Sequence, residues 1–138
     1  MSEMRPKVLI VEDEAVTRVL LVQLMQSLDF DIEVAVDGEA ALEQLRAKSY
    51  DIILLDIVLP RMSGIEVMEA LRRERPRTLG CIIVVTGLDI REIRSLFPAV
   101  HETLSKPVLP SRLREAVRSC LVRTRVGAAA VDERITPG

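Results

Sequence analysis

Short apolar runs alternate with longer amphipathic stretches along the chain, and the alternation repeats five times. Residues 8–11, 52–55 and 81–85 are apolar at every position, as is typical of parallel strands covered by helices on both faces. Residues 31–36 alternate between polar and apolar, which indicates an edge strand with one solvated face. A brief fifth strand is predicted near residues 102–104. The pattern predicts an α/β fold built on a doubly wound, five-stranded parallel sheet.

The amphipathic stretches that follow the strands are predicted helices. The first runs over residues 14–28 and has apolar side chains at helical spacing, which we expect on its core-facing side. These side chains are Val16, Val19, Leu20, Leu24 and Leu28. Asp37 is the predicted N-cap of the second helix, and Pro110 is placed to begin the last one. Ser63 and Asp89 each stand three residues before a glutamate, the spacing of a capping box, and predict the starts of the third and fourth helices.

Length and regularity together indicate one domain. At about 100–200 residues per domain, the 138 residues of the chain correspond to a single unit. The strand–helix pattern is lost after residue 123, where the chain contains Gly127, a run of alanines and Pro137. We therefore expect a domain over residues 1–123 and a flexible tail or the start of a linker over residues 124–138.

Composition and charge exclude several classes of partner. Only three residues are aromatic, Phe30, Tyr50 and Phe97, which argues against modules that bind single-stranded nucleic acid by stacking its bases. The net charge of −2 implies no strongly charged partner, although residues 1–66 carry a net −7 and residues 67–138 a net +5. The two cysteines lack the spacing of a disulfide framework, and no apolar run approaches the ~20 residues of a membrane-spanning helix. We expect a cytoplasmic protein that contacts neither nucleic acid nor membrane directly.

Polar side chains follow the predicted strands at the point where each strand ends. Glu12 and Asp13 follow the first strand, Asp56 follows the third, Thr86 ends the fourth and Lys106 follows the fifth. Ligands bind at the carboxyl ends of the strands in open parallel sheets, so these five side chains are the candidate functional residues. Asp56 directly follows four apolar residues, a position at which a charge needs a functional reason.

The candidate residues favour phosphoryl chemistry that depends on a divalent cation. Three carboxylates at one edge would repel each other, and Lys106 offsets only one of them. Mg²⁺ takes oxygen ligands and keeps several waters, so it is the predicted metal. An aspartate carboxylate can accept a phosphoryl group, while a metal, a lysine and a threonine hydroxyl spread the charge of the group during transfer.

Four sequence segments resemble the receiver domain of two-component response regulators, in order and at the spacings of that family. They are Val8-Leu-Ile-Val-Glu-Asp-Glu14, Asp51-Ile-Ile-Leu-Leu-Asp-Ile-Val-Leu-Pro60 with Met62-Ser-Gly64, Ile83-Val-Val-Thr-Gly87 and Ser105-Lys-Pro107. The match covers about residues 6–123. The resemblance implies a flavodoxin-like receiver fold whose five parallel strands lie in the order 2-1-3-4-5.

The resemblance also implies roles for the acidic residues. Asp56 matches the aspartate that accepts the phosphoryl group. Glu12 and Asp13 match the acidic pair, in which Asp13 is a direct Mg²⁺ ligand and Glu12 holds metal-bound water. Asp56 and the backbone carbonyl of Val58 are expected to complete the protein ligands of the metal.

Two further residues complete the match, and one departs from it. Thr86 matches the threonine whose hydroxyl moves when receivers of this family switch, and Lys106 matches the phosphate-binding lysine. The peptide bond between Lys106 and Pro107 is expected to be cis. Thr103 stands where receivers usually carry a tyrosine or phenylalanine, whose ring moves inward with the threonine. We therefore expect weaker coupling between Asp56 and the output face.

By this resemblance the chain is a phosphorylatable signalling switch and not a turnover enzyme. It would accept a phosphoryl group onto Asp56 from a phosphohistidine of a sensor kinase or phosphotransfer protein, and would lose the group slowly by its own hydrolysis. Phosphorylation would shift the population of a face formed by the fourth helix, fifth strand and fifth helix, to which a downstream protein binds. The resemblance also allows a homodimer.

Other functions were weighed against the same residues. A phosphatase of the haloacid-dehalogenase type needs a second aspartate two residues after its nucleophile, where this chain has Val58. A nucleotide-binding domain needs a glycine-rich turn after the first strand, where this chain has three acidic residues. Two alternatives stay open: a pseudo-receiver that acts as an interaction scaffold without being phosphorylated, and the N-terminal receiver fragment of a longer regulator.

Overall fold

Five strands and five helices alternate along the chain in the computed structural model, which describes the backbone of residues 5–135 and the side chains of residues 5–123. The strands are β1 (Lys7–Val11), β2 (Asp31–Ala35), β3 (Ile52–Leu55), β4 (Ile82–Thr86) and β5 (Glu102–Ser105). The helices are α1 (Ala15–Ser27), α2 (Gly38–Ala47), α3 (Gly64–Glu74), α4 (Ile90–Leu96) and α5 (Pro110–Ile135). All strand pairs are parallel and the order is β2-β1-β3-β4-β5, which confirms the predicted fold.

Two apolar layers enclose the sheet. Helices α1 and α5 cover one face, where Met25 and Val117 are buried. Helices α2, α3 and α4 cover the other face, where Leu45, Met68 and Ile93 are buried. Strands β1, β3 and β4 lie between the two layers, so apart from Lys7 at the start of β1 their side chains are buried on both faces, as their apolar runs predict. The outer strands β2 and β5 are only partly buried.

Local sequence signals set the helix starts. The Asp37 carboxylate accepts a backbone N–H of the first turn of α2 at 2.7 Å, which confirms it as the N-cap. Ser63 and Glu66 form the predicted capping box at the start of α3. Asp89 caps α4 differently, because its carboxylate accepts the N–H of Arg91 instead of taking part in a capping box.

A 3-10 helix over Pro76–Cys81 precedes β4 and was not predicted. The apolar run had placed Cys81 in the fourth strand, but that residue ends the 3-10 helix and β4 begins at Ile82. Pro76 suits the first position of this helix because its φ is fixed and it has no N–H to leave unpaired. Since a half-buried cysteine fits a strand or a helix end equally well, the run itself did not show the boundary.

The core-facing side of α1 differs from the prediction. Leu21 and Met25 face the core and are 5% and 0% exposed, whereas Val16, Val19 and Leu20 are 68%, 52% and 59% exposed. Helix α1 carries apolar residues on most of its sides, so helical spacing did not single out the stripe that meets the sheet. An apolar surface therefore remains on the outer side of α1.

Helix α5 continues past the boundary predicted at residue 123. Its backbone is helical as far as Ile135, where the sequence predicted a flexible tail or the start of a linker. Residues 124–135 contain one glycine and no proline, so little in their intrinsic propensity opposes the helix. Residues 136–138 lie outside the described part of the chain, and the domain boundary stays a prediction. At 26 residues α5 is the longest helix, yet no helix within the described residues is both long and apolar enough to cross a membrane.

Candidate functional site

The five candidate side chains lie at one edge of the sheet, because each ends or follows a parallel strand. Glu12 and Asp13 follow β1, Asp56 follows β3, Thr86 is the last residue of β4 and Lys106 follows β5. Backbone hydrogen bonds continue between the neighbouring strands up to these residues. The Asp56 N–H donates to the last carbonyl of β1 at 3.1 Å, and the Lys106 N–H donates to the Thr86 carbonyl at 2.8 Å.

Lys106 joins two of the carboxylates. Its ammonium Nζ lies 2.9 Å from Asp56 Oδ2 and 3.0 Å from Glu12 Oε1, and both acids are almost completely buried. Partial burial alone would lower the pKa of Lys106, but the hydrogen bonds to Asp56 and Glu12 outweigh burial and hold that pKa above its ordinary value. The lysine is therefore charged at neutral pH and neutralises one unit of the acidic cluster. The peptide bond that joins it to Pro107 is cis, as expected.

The acidic cluster suits a hard divalent cation. One oxygen from each of Glu12, Asp13 and Asp56 lies within 4.8 Å of the others. Burial raises the pKa of Glu12, although the hydrogen bond from Lys106 opposes the shift. The charge of Lys106 therefore does not fully offset the cost of burying this carboxylate. Mg²⁺ prefers such oxygen ligands and keeps several waters, for which the exposed Asp13 leaves access. The residues present thus fit the predicted metal.

Backbone N–H groups hold the remaining oxygen atoms of the site. In three loops the side chain at the strand end accepts a hydrogen bond from the N–H two residues later. These bonds measure 3.1 Å at Glu12 Oε2, 3.2 Å at Asp56 Oδ1 and 3.2 Å at Thr86 Oγ1. Each bond fixes one side chain relative to its own loop. The bond to Asp56 comes from Val58, whose carbonyl stays a predicted metal ligand.

Two glycines let the loop between β3 and α3 approach its neighbours closely. A Cβ atom at Gly64 would stand 2.4 Å from the backbone oxygen of Asp56, and one at Gly38 would stand 1.8 Å from that of Met62. Both distances are far below van der Waals contact, and both neighbours are backbone atoms. Neither approach is visible in the sequence pattern, because each depends on how the loop after β3 folds back.

Arg18 also contacts the site and was missed in the sequence analysis. Its Nη1 atom donates to the backbone carbonyl oxygens of Glu12 and Asp13, both at 3.0 Å. An arginine in the first turns of a helix is most often a solvated surface charge, so the position of Arg18 in the sequence did not indicate a functional role.

An apolar groove lies beside Lys106, between α1 and the start of α5, and has a volume of about 630 Å³. The exposed Leu20 and the half-buried Leu24 line one wall, and Pro107 and Val108 line the other. Because Leu20 was expected in the core, the groove could not be foreseen from the pattern.

Thr103 is buried on β5 beside a pocket. It is 1% exposed, and its hydroxyl has no hydrogen-bond partner among the described residues. A cavity of about 290 Å³ is lined by Thr103, Arg94 and Phe97 among others. Arg94 Nη2 donates to the Thr103 carbonyl at 3.2 Å, and the Arg72 guanidinium lies 4.8 Å from the Phe97 ring centroid. The Phe97 ring is thus held against α3.

Comparison with known proteins shows the family of the chain. The family model for the response regulator receiver domain matches residues 8–118. Regulator of RpoS from Escherichia coli strain K12 is 35% identical over 128 residues, which cover 92% of this chain and 38% of that protein. The chain therefore spans well under two thirds of the length of this relative.

Solved structures show the same likeness. A CheY-like response regulator receiver domain protein from Methanospirillum hungatei JF-1 superposes with a TM-score of 0.79 at 26% identity, covering 89% of this chain and 98% of that one. The response regulator TrrA from Thermotoga maritima, solved in complex with Mg²⁺ and BeF, has a TM-score of 0.75 at 30% identity. That match covers 84% of this chain and 99% of TrrA.

Proposed function

Because the chain belongs to the receiver domain family of two-component response regulators, we propose that it is phosphorylated on Asp56 by a phosphohistidine of a sensor kinase or phosphotransfer protein. Receivers of this kind are signalling proteins and not turnover enzymes. The observation that carries the proposal is the arrangement of Lys106 between the buried carboxylates of Asp56 and Glu12. A buried ion pair contributes little net stability because desolvation offsets its attraction, which favours a functional role over a structural one.

The described residues supply an acceptor and a counter-charge for the transfer. A carboxylate oxygen of Asp56 attacks the phosphorus atom, and an O–P bond forms as the P–N bond to the donor histidine breaks. The electron pair of the broken bond stays on the imidazole nitrogen, and the ring leaves neutral when its other nitrogen carries a proton. Lys106, 2.9 Å from Asp56 Oδ2, can neutralise a phosphoryl oxygen, and the Thr86 hydroxyl can donate to another.

Mg²⁺ is the metal that we propose for the acidic cluster. Glu12, Asp13 and Asp56 would hold it, together with the Val58 carbonyl. When bound, it supplies positive charge beside the phosphoryl oxygens. The bound Mg²⁺ and BeF in the structure of TrrA support this assignment.

We assign the apolar groove beside Lys106 to the phosphodonor protein. Leu20 on α1 is exposed and lines the groove, so a donor helix with an apolar face could bury it there. Lys106 lines the groove and contacts Asp56, so a helix seated there would bring a phosphohistidine near the acceptor. The protein would meet this donor in the cytoplasm.

We assign the face formed by α4, β5 and α5 to the downstream partner. Its exposed side chains carry both signs of charge. Arg112, Arg114 and Arg118 lie on α5, whereas Arg91 and Arg94 of α4 pair with Asp89 and Glu102. A surface of mixed charge sets the direction and register of an approaching partner. The same charges can pair between two copies of this chain, so a homodimer stays an alternative occupant.

Phosphorylation with small donors tests the proposal. Acetyl phosphate or phosphoramidate with Mg²⁺ should add one phosphoryl mass to the chain, and a chelator should prevent the addition. Asp56→Asn should abolish it. The matched control, Asp51→Asn, changes an acid just before the opposite end of β3 and should leave it intact. An unmodified wild-type chain would instead favour the pseudo-receiver scaffold.

Transfer from a protein donor tests the groove. The probe is the member of a panel of phosphorylated histidine phosphotransfer domains that reacts fastest with the wild type. Leu20→Asp should slow this transfer about tenfold, because it places a charge in the apolar contact. The rate with phosphoramidate should stay unchanged. Leu96→Asp on α4, which is equally exposed, serves as the control. Equal slowing by both variants would place the donor elsewhere.

A further inference from the structure

Arg18 lies in the first turns of α1 and reaches back to the loop that carries the acidic pair. Its Nη1 donates to the carbonyl oxygens of Glu12 and Asp13, each at 3.0 Å. Among the described residues it forms no ion pair with a carboxylate, so its guanidinium acts on the main chain. We propose that Arg18 is a positioning residue: it fixes the loop so that the Glu12 and Asp13 carboxylates point toward the cation, and thereby sets the Mg²⁺ affinity.

Asp13 depends on this contact more than its neighbours do. The bond from Arg18 is the only hydrogen bond that Asp13 makes within the described part of the chain. Glu12, by contrast, is also held by Lys106 and by the N–H of Glu14. Asp13 is exposed and follows the end of β1, so its main chain is held directly by Arg18 and otherwise only through its neighbours Glu12 and Glu14. Of the acidic pair, the residue predicted to be a direct metal ligand is therefore the one that depends most on Arg18.

Loss of positioning and loss of charge change the Mg²⁺ affinity in opposite directions. A guanidinium near the cluster repels a divalent cation, so removing its charge should strengthen Mg²⁺ binding if charge were its only effect. Loss of a positioning contact weakens metal binding instead, by about tenfold at the low end for outer-shell partners of metal ligands. The direction of the change in affinity thus separates the two effects.

The experiment is a Mg²⁺ titration of the full chain, followed by calorimetry and by backbone amide shifts. Arg18→Gln should raise the Mg²⁺ dissociation constant about tenfold. Arg18→Lys, which keeps a charged donor on a shorter side chain, should restore affinity to within about threefold of the wild type. Arg77→Gln removes an equal charge from an exposed site in the 3-10 helix and should not weaken binding. Thermal unfolding without metal checks that each variant folds.

A second measurement keeps the test decisive if Arg18→Gln does not fold. In the wild type, the Arg18 side-chain NMR signals should shift with Mg²⁺ at the same midpoint as the Asp13 amide, while those of Arg77 stay fixed. Unchanged or tighter Mg²⁺ binding in Arg18→Gln, or Arg18 signals that ignore the metal, would overturn the inference. It rests on the proposed function, but the two fail differently. A wild type that does not bind Mg²⁺ refutes the function, whereas a binding wild type with an equally competent Arg18→Gln refutes only the role of Arg18.

Discussion

The start of α3 lies so close to the loop after β3 that a Cβ at Gly64 would stand 2.4 Å from the backbone oxygen of Asp56. Because the two segments lie this close, the Gly64 N–H donates to the Ile57 carbonyl at 2.8 Å. Because the clashing atom belongs to the backbone, it cannot rotate away as a side chain would. The position of Asp56 therefore depends on the absence of a side chain eight residues later.

Replacing Gly64 by alanine should destabilise the protein and disturb the site together. We expect the free energy of unfolding to fall by about 1–3 kcal/mol, as overpacking of a close contact does, and phosphorylation by acetyl phosphate to slow. Gly80→Ala is the matched control, because a Cβ there meets nothing within 4 Å. Urea unfolding and intact-mass kinetics measure the two effects. Equal stability of the two variants would contradict the role of the close approach.

The phosphorylated form should be long-lived. Val58 and Leu88 donate their N–H groups to Asp56 and Thr86, and their apolar side chains are 60% and 46% exposed. Neither can orient the water that must attack the acyl phosphate in line. Val58→Asn and Val58→Glu should each speed loss of the phosphoryl group by about tenfold, measured by intact mass after removal of the donor.

The control for this prediction is Leu96→Asn, which makes the same kind of change at an exposed apolar residue of α4. Its decay should match that of the wild type. The explanation is wrong if both Val58 variants decay at the wild-type rate.

Thr103 should weaken the coupling of Asp56 to the output face. Burying an aromatic ring contributes about 1.5–3 kcal/mol, a term that a threonine with an unpaired hydroxyl cannot provide. The Phe97 ring does not move freely into that role, because the Arg72 guanidinium lies 4.8 Å from the Phe97 ring centroid and holds the ring. With beryllofluoride and Mg²⁺, amide shift changes should therefore concentrate in residues 86–93.

A Thr103→Tyr variant should extend these shift changes through residues 99–118, and Thr103→Val controls for loss of the hydroxyl alone. Large, uniform changes across that range in the wild type would refute weak coupling. Identical behaviour of Thr103→Tyr and the wild type would show that position 103 has no part in the switch.

His101 should make stability depend on pH. It is the only histidine in the chain, and its Nε2 lies 2.7 Å from Ser119 Oγ. Burial and the charge of Arg123 lower the pKa of the imidazole below its usual value, while Glu102 opposes the shift. Its single NMR titration should thus have a midpoint below about 6.5.

The sign of the effect on folding follows from that shift. Between the folded pKa and the higher unfolded pKa the unfolded chain binds more protons, so the free energy of unfolding falls as the pH drops through this window. His101→Asn should remove this part of the pH dependence, measured by urea unfolding at pH 7 and pH 5. An NMR titration midpoint of His101 at or above the pKa of an unfolded histidine would contradict the prediction.

Local patterns determined the strands, most helix starts and the acidic edge. A strand buried on both faces must be apolar at every position, so β1, β3 and β4 are visible as runs, and a helix cap uses neighbouring residues, as Asp37 and Ser63 do. The candidate residues were also local signals, because a charge directly after a buried strand has few structural reasons to be there.

Three features could be seen only in the folded chain: which side of α1 meets the sheet, how near Gly64 comes to Asp56, and where the Arg18 guanidinium binds. Helix α1 is apolar on most sides, so its orientation depends on the surface that it meets and not on its own spacing. The contacts of Gly64 and Arg18 depend on where the chain folds back. The presence of a glycine or an arginine in the sequence does not show which part of the chain it will meet. The residues proposed to carry the chemistry could thus be named from the sequence, because polarity and burial are local properties. The structure decided what holds those residues in place, because support comes from elements that meet only after folding.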